Sequence, residues 1–190
     1  MVRAYRDEPV DRETLARITD VVRRAPSAGF SQGHRLVVVT DPTTRRRMAK
    51  VAGAGYYSRD FPNWLDVVPV QIVVCTREDD YHERYRQPDK LVGGAEIDWP
   101  VPFWWFDAGA VETLLHLAAL DEGLAAGVYS IPGERLPAFK ELLGIPDDVA
   151  VACVLTVGRP AREVGRDASS RGTRPRRPLE ELVHWERWSS

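Results

Sequence analysis

Hydrophobic positions along the chain follow two periods. Leu15, Ile18, Val22 and Ala25 recur at helical spacing behind Asp11, a residue type that caps helix N-termini, and Val10 and Leu15 are placed as a hydrophobic staple. A first helix is therefore expected over residues 12–25, stopped by Pro26. Leu36 to Val39 reads as a strand, and Asp41-Pro42 opens a short basic helix reaching Ala52 by the N-cap and first-turn proline signals. Val70 to Cys75 and Val149 to Val157 are continuous apolar runs of the kind that form buried strands. Asp107 has the residue type of an N-cap for the most apolar helix, which carries Val111, Leu114, Leu115, Ala118 and Ala119 on one face and ends at Gly123. Leu117 and Leu120 widen that stripe, so the helix is expected to be central. A last helix carries Leu136, Phe139, Leu142 and Leu143 and is closed by Gly144.

Between these elements lie three segments without periodicity. Pro26 to His34 is a loop of small and polar residues. Residues 77–106 mix charge with Tyr81, Tyr85, Trp99, Phe103, Trp104 and Trp105, and are expected to form a lid or excursion. From Gly158 the chain is Arg-rich and irregular as far as Pro178 to Val183, then ends in Trp185 and Trp188. This apolar surface is expected to reach a partner subunit.

Composition bounds the picture without adding chemistry. At 190 residues, 44% hydrophobic and 28% charged, the chain can bury one core, and a single domain over residues 1–190 is expected. The formal charge of −2 argues against nucleic acid as a partner despite the arginines near the C-terminus. No apolar run approaches a membrane span and residues 1–7 lack the apolar core of a signal peptide, so a cytoplasmic protein is expected. Cys75 and Cys153 sit inside apolar runs and are read as reduced, packed thiols.

Most chemical signals are discounted. Gly53-Ala54-Gly55 follows a helix, not a strand, and does not complete a dinucleotide fingerprint. The four histidines and two cysteines have no zinc-ligand spacing, so no metal site is expected, and His116, among the core residues of the central helix, is read as a satisfied structural histidine. No nucleophile elbow surrounds Ser27 or Ser31. What remains is a small-residue loop, arginines near both ends of the chain and a set of aromatics. This inventory suits a flavin mononucleotide, and it equally describes surface arginines and packed rings.

Six short pieces in order give the chain a resemblance to the flavin-dependent nitroreductase family. They are Arg3-Ala4-Tyr5 before Glu8-Pro9-Val10, the loop Ala25 to Gln32, the helix Asp107-Ala108-Gly109 through Ala119 to Gly123-Leu124, the run Leu143-Gly144-Ile145-Pro146, the strand end Val157-Gly158-Arg159-Pro160, and Arg176-Arg177-Pro178 through Val183. The resemblance implies an α+β fold in place of the doubly wound sheet that alternation alone suggests. It implies a three-layer sandwich whose mixed central sheet is flanked by helices, built as an intertwined homodimer with two FMN sites at the subunit interface. It places Arg3, Arg174 and Arg176 at the flavin phosphate, Pro26, Ser27, Ala28 and Gln32 along the ring from the partner subunit, and Ser130, Ile131 and Gly133 at a turn that meets the ring. Phe30, Trp104 and Trp105 are the substrate-side candidates.

Three departures from the family pattern stand out. The usual Arg-x-Ser-x-Arg opening is truncated to Met1-Val2-Arg3, Gly29-Phe30 stands where many members have Asn, and Gly33-His34 replaces Pro-Trp. Asn63 is the candidate for the flavin's pyrimidine edge. The activity implied is hydride transfer from NAD(P)H through FMN to a small nitroaromatic, quinone or similar acceptor, for which no side chain need act as acid or base. The alternatives are a flavin-fragmenting synthase, a deazaflavin-related reductase of the same fold, or a flavin-binding protein without turnover.

Overall fold

A computed structural model describes residues 2–54, 64–161 and 175–188. Helix α1 (Arg12–Asp20) starts where Asp11 accepts the Thr14 amide at 2.8 Å, and α2 (Pro42–Ala52) where Asp41 accepts that of Thr44 at 2.7 Å. Both caps are those read from the sequence. The remaining elements are β1 (His34–Val39), α3 (Trp64–Val67), β2 (Val70–Thr76), α4 (Asp79–Tyr85), α5 (Phe103–Asp121), β3 (Ala125–Tyr129), α6 (Leu136–Leu143) and β4 (Ala150–Gly158).

The four strands form one sheet in the order β1-β2-β4-β3, and every pairing is antiparallel. The mixed character expected of the sheet is thus absent among the described strands. Strand β2 is buried along its whole length because it is covered on both faces, and its side chains alternate between two cores. Val73 and Cys75 face α2, α3 and α6 through Met48, Ala49, Leu65 and Phe139, while Val70, Ile72 and Val74 face α1 and α5 through Ile18, Val111, Leu115 and Ala119. Helices on both faces of a sheet make the three-layer α+β sandwich. Cys75 and Cys153 are free, and burial pushes their thiols up to about 11 and about 12.

The structure corrects three further expectations. The first helix is α-helical only to Asp20 and continues as a 3₁₀ turn over Val21–Arg24, the tighter winding common at helix ends. Residues 77–106 are not one excursion: α4 occupies Asp79–Tyr85, and α5 begins at Phe103. Asp107 is consequently not an N-cap but lies a full turn inside α5, 3% exposed. Strand β3 had no forecast, since Ala125-Ala126-Gly127 carries little strand propensity and is held by pairing to β4. His116 is partly buried and its Nδ1 lies 3.4 Å from Glu112 Oε1, which gives this histidine a partner on its own helix.

Candidate functional site

The N-terminal segment is stitched to the sheet end of β3 and β4. Val2 N–H donates to Ala126 at 2.8 Å, Tyr5 pairs with Pro160, and the Tyr5 hydroxyl lies 2.8 Å from Thr156 Oγ1. Gly127 admits this approach, because a Cβ there would lie 2.3 Å from the Val2 carbonyl. Arg3 is thereby fixed at the β3 edge. Ser130, Ile131 and Gly133 follow β3 directly, four to seven residues beyond Ala126, so the turn begins roughly 13 Å along the strand from Val2's anchor. Ile131 is buried, Ser130 and Gly133 are exposed, and a Cβ at Gly133 would meet nothing within 4 Å. Beneath the turn the Tyr129 hydroxyl donates to Gln71 Oε1 at 2.7 Å, and Gln71 is fully buried.

The loop from Pro26 to Gly33 has an unusual backbone. Gly29, Phe30 and Gln32 have φ of 59°, 62° and 53°, and a bulky residue such as Phe30 rarely occupies this left-handed region. Several bonds hold it: Ser31 Oγ donates to the Ala28 carbonyl at 2.6 Å, the Gln32 amide to Ser27 Oγ at 3.0 Å, and Arg84 Nε to the Gly29 carbonyl at 2.9 Å. From below, the Ala28 amide donates to Asp107 Oδ2 at 2.8 Å and the Tyr81 hydroxyl donates to the same oxygen at 2.9 Å. The Phe30 ring is left 69% exposed. His34 Nε2 donates to the Val22 carbonyl at 3.0 Å, and burial holds its pKa below the ordinary histidine value.

The aromatics of residues 77–106 divide. Tyr81 is fully buried, and Tyr81, Trp99 and Trp104 pack together with centroids 5.9 to 6.3 Å apart. Trp104 therefore belongs to a packed cluster instead of an open lid, whereas Trp105 and Phe106 are 46% and 69% exposed on the outer face of α5. Leu117 and Leu120 extend that face, so α5 is apolar on both sides with only one covered in the single chain.

The sequence-derived residues thus form two groups, not one. Arg3 and the turn Ser130, Ile131, Gly133 stand at the β3 edge. Pro26, Ser27, Ala28, Phe30 and Gln32 stand at the opposite edge, beyond the first residue of β1. Three strand spacings, about 14 Å, separate these edges. Arg176 lies in the exposed C-terminal segment, while Arg174 and Asn63 lie outside the described residues. Sequence reasoning missed Asp107 and Tyr81 as supports of the loop, because their partners are 79 and 26 residues away. Among the described residues no cluster of three or more His, Cys, Asp or Glu could hold a metal, and no helix is long and apolar enough to cross a membrane.

Comparison with known proteins adds the following. The sequence profile of the Nitroreductase family matches residues 1–159. An Archaeoglobus fulgidus protein bearing the provisional name NADH dehydrogenase/NAD(P)H nitroreductase is 30% identical over 165 residues, covering 85% of this chain and 81% of its own. The 5,6-dimethylbenzimidazole synthase of Rhodobacter capsulatus is 27% identical over 173 residues, covering 84% of this chain and 78% of its own. Among solved structures, the NADPH:FMN oxidoreductase of Vibrio harveyi complexed with NAD+ superposes with a TM-score of 0.69 at 24% identity, over 100% of this chain and 74% of that one. That last likeness establishes the fold.

Proposed function

Because the chain belongs to the nitroreductase family, a family of FMN-dependent NAD(P)H oxidoreductases, we propose that it carries electrons from NAD(P)H to a small nitroaromatic, quinone or similar acceptor, in a homodimer whose FMN sites are shared between two copies. The observation that carries the shared site is the separation of its two halves onto opposite edges of one sheet. A second copy supplies the missing half at each site.

The residues present fit the cofactor. A flavin mononucleotide needs cations for its phosphate, main-chain groups at the ring edge and an apolar wall. Arg3 and Arg176 would hold the phosphate, the open turn at Ser130, Ile131 and Gly133 would meet the ring, and Pro26, Ser27, Ala28 and Gln32 of the other copy would cover it. When bound, FMN supplies the hydride chemistry. The protein's residues orient it, exclude water and leave a space where donor and acceptor bind in turn, beside Phe30 and Trp105.

The surface supports two copies. Leu179, Leu182, Trp185 and Trp188 in the C-terminal segment are 59% to 82% exposed, and the outer face of α5 adds Phe106, Leu117 and Leu120. A groove of about 870 Å³ beside β1, the outermost of the described strands, lined by Val10, Leu15, Val38 and Pro69 among others, offers a seat for the partner's C-terminal segment.

The test is the visible spectrum of protein purified with added FMN, recorded before and after anaerobic NADPH, together with light scattering. Bound flavin that bleaches in a dimer is expected. A flavin-free monomer, or bound flavin that no nicotinamide donor bleaches, defeats the reading. The likeness to the R. capsulatus synthase favours one alternative, oxidative fragmentation of reduced flavin, which product analysis under oxygen separates from acceptor reduction.

A further inference from the structure

Asp107 is buried inside α5, yet its carboxylate makes no contact that helps the helix start. One oxygen, Oδ2, accepts both the Ala28 amide at 2.8 Å and the Tyr81 hydroxyl at 2.9 Å. Tyr81 cannot swing away: it is fully buried, it packs on Trp99 and Trp104, and Gly33 lies against its ring so closely that a Cβ there would approach Tyr81 Cε2 to 2.4 Å. The carboxylate is therefore fixed from behind by a rigid ring and presents its lone pairs to one main-chain N–H. That N–H belongs to the first residue of the segment in which Gly29, Phe30 and Gln32 all adopt left-handed φ. Backbone of this kind persists only where its surroundings over-determine it. A carboxyl oxygen carries two lone pairs, so Oδ2 can accept from Tyr81 and from Ala28 at once.

We propose that Asp107 is a positioning residue: held by Tyr81, it fixes Ala28 and with it the strained Gly29–Gln32 turn, so that the exposed Phe30 ring and the Gln32 side chain stand where flavin and substrate meet them. The assignment of Phe30 and Gln32 to that space rests on the flavin reading given above. The hold of Asp107 on the turn does not.

The experiment compares the full-length wild type with Asp107→Ala, Asp107→Asn and Tyr81→Phe, with and without FMN. In flavin-free protein, amide hydrogen exchange over residues 28–32 is expected to rise about tenfold in Asp107→Ala, while β2 amides keep their protection. Asp107→Asn, which retains an acceptor oxygen, restores most of the protection, and Tyr81→Phe gives a smaller increase. In FMN-loaded protein, Asp107→Ala raises KM for p-benzoquinone several-fold more than it lowers kcat, and Asp107→Asn again rescues. Unchanged exchange at 28–32 in Asp107→Ala, or a rise shared equally by β2, overturns the proposal, since either outcome gives Asp107 a packing role alone. If Asp107→Ala does not fold, unchanged loop exchange in Tyr81→Phe overturns it. Faster loop exchange with unaltered quinone kinetics overturns the assignment of the turn to the substrate space. Wild type that binds no FMN defeats the flavin reading, and the exchange comparison still decides whether Asp107 holds the turn.

Discussion

The carbonyl oxygen of Val2 occupies the space where Gly127 would carry a side chain, 2.3 Å from an ideal Cβ. The main chain of one segment lies against the main chain of another, so neither can step aside by a rotamer change. Gly127→Ala is expected to cost about 1–3 kcal/mol, the range for overpacking a well-filled site. It should also displace Arg3, the next residue, and weaken FMN binding. Urea denaturation and a flavin titration check the two effects, and an unchanged midpoint contradicts the close approach.

Arg3 and Arg176 are each expected to act on the phosphate and not on the ring. Replacing either by Ala should weaken FMN about tenfold, the loss of one charge-assisted hydrogen bond, and leave riboflavin affinity unchanged. Fluorescence quenching with both ligands measures this. Equal losses for FMN and riboflavin would show that the arginine shapes the whole site.

Tyr129 and Gln71 form a buried polar pair, with the hydroxyl donating to Oε1 at 2.7 Å and Gln71 Nε2 donating to the Leu65 carbonyl at 3.2 Å. Tyr129→Phe strips a donor from a fully buried amide. A loss of about 1–3 kcal/mol is expected from leaving that acceptor without its partner. Because Tyr129 immediately precedes Ser130, the same variant should loosen the turn, seen as faster amide exchange at residues 130–133.

His82 and Glu96 give the chain a pH signature. Glu96 accepts from His82, from Trp99 Nε1 at 2.7 Å and from Arg86 Nε at 2.9 Å. The hydrogen bond to Glu96 raises the pKa of His82 above 6.5, and the bond from Trp99, followed by that from His82, lowers that of Glu96. For a histidine raised on folding, the stabilisation is fully present below about pH 6.5 and is lost as pH rises through the folded value. For the carboxylate the loss comes as pH falls through its lowered value. The pair thus stabilises most in mildly acidic solution. An NMR titration should show His82 above the ordinary value, and Glu96→Gln should return it towards 6.5.

The aromatics can be separated by what they lose. Trp104 is half-buried and packs on Tyr81 and Trp99, so Trp104→Ala should cost about 1–3 kcal/mol. Trp105 and Phe30 are exposed, and their replacement by Ala should change stability by about 0.5 kcal/mol or less while altering acceptor KM. Thermal melts beside acceptor kinetics distinguish the two classes. A destabilised Trp105→Ala with unchanged kinetics would place it in the core.

Local signals were sufficient wherever the physics is local. The caps at Asp11 and Asp41, the apolar run of β2 and the left-handed Gly144 after α6 each depend on neighbours a few residues away, and all were legible. The arginines and the small-residue loop stand out by residue type and order, and their role at a flavin is a proposal tested by the variants above. What the sequence alone could not determine is every feature fixed by contacts across the chain. Strand β3 exists because β4 pairs with it, not because Ala125, Ala126 and Gly127 favour extension. Asp107 looked like a helix cap because Asp commonly is one. Only packing revealed that four aromatics, Phe103, Trp104, Trp105 and Phe106, could precede it inside α5 and leave its carboxylate buried against Ala28 and Tyr81. The placement of the candidate residues at two opposite sheet edges was decided by strand order, which no local propensity encodes, because order is settled by which buried faces fit together once the whole chain has collapsed.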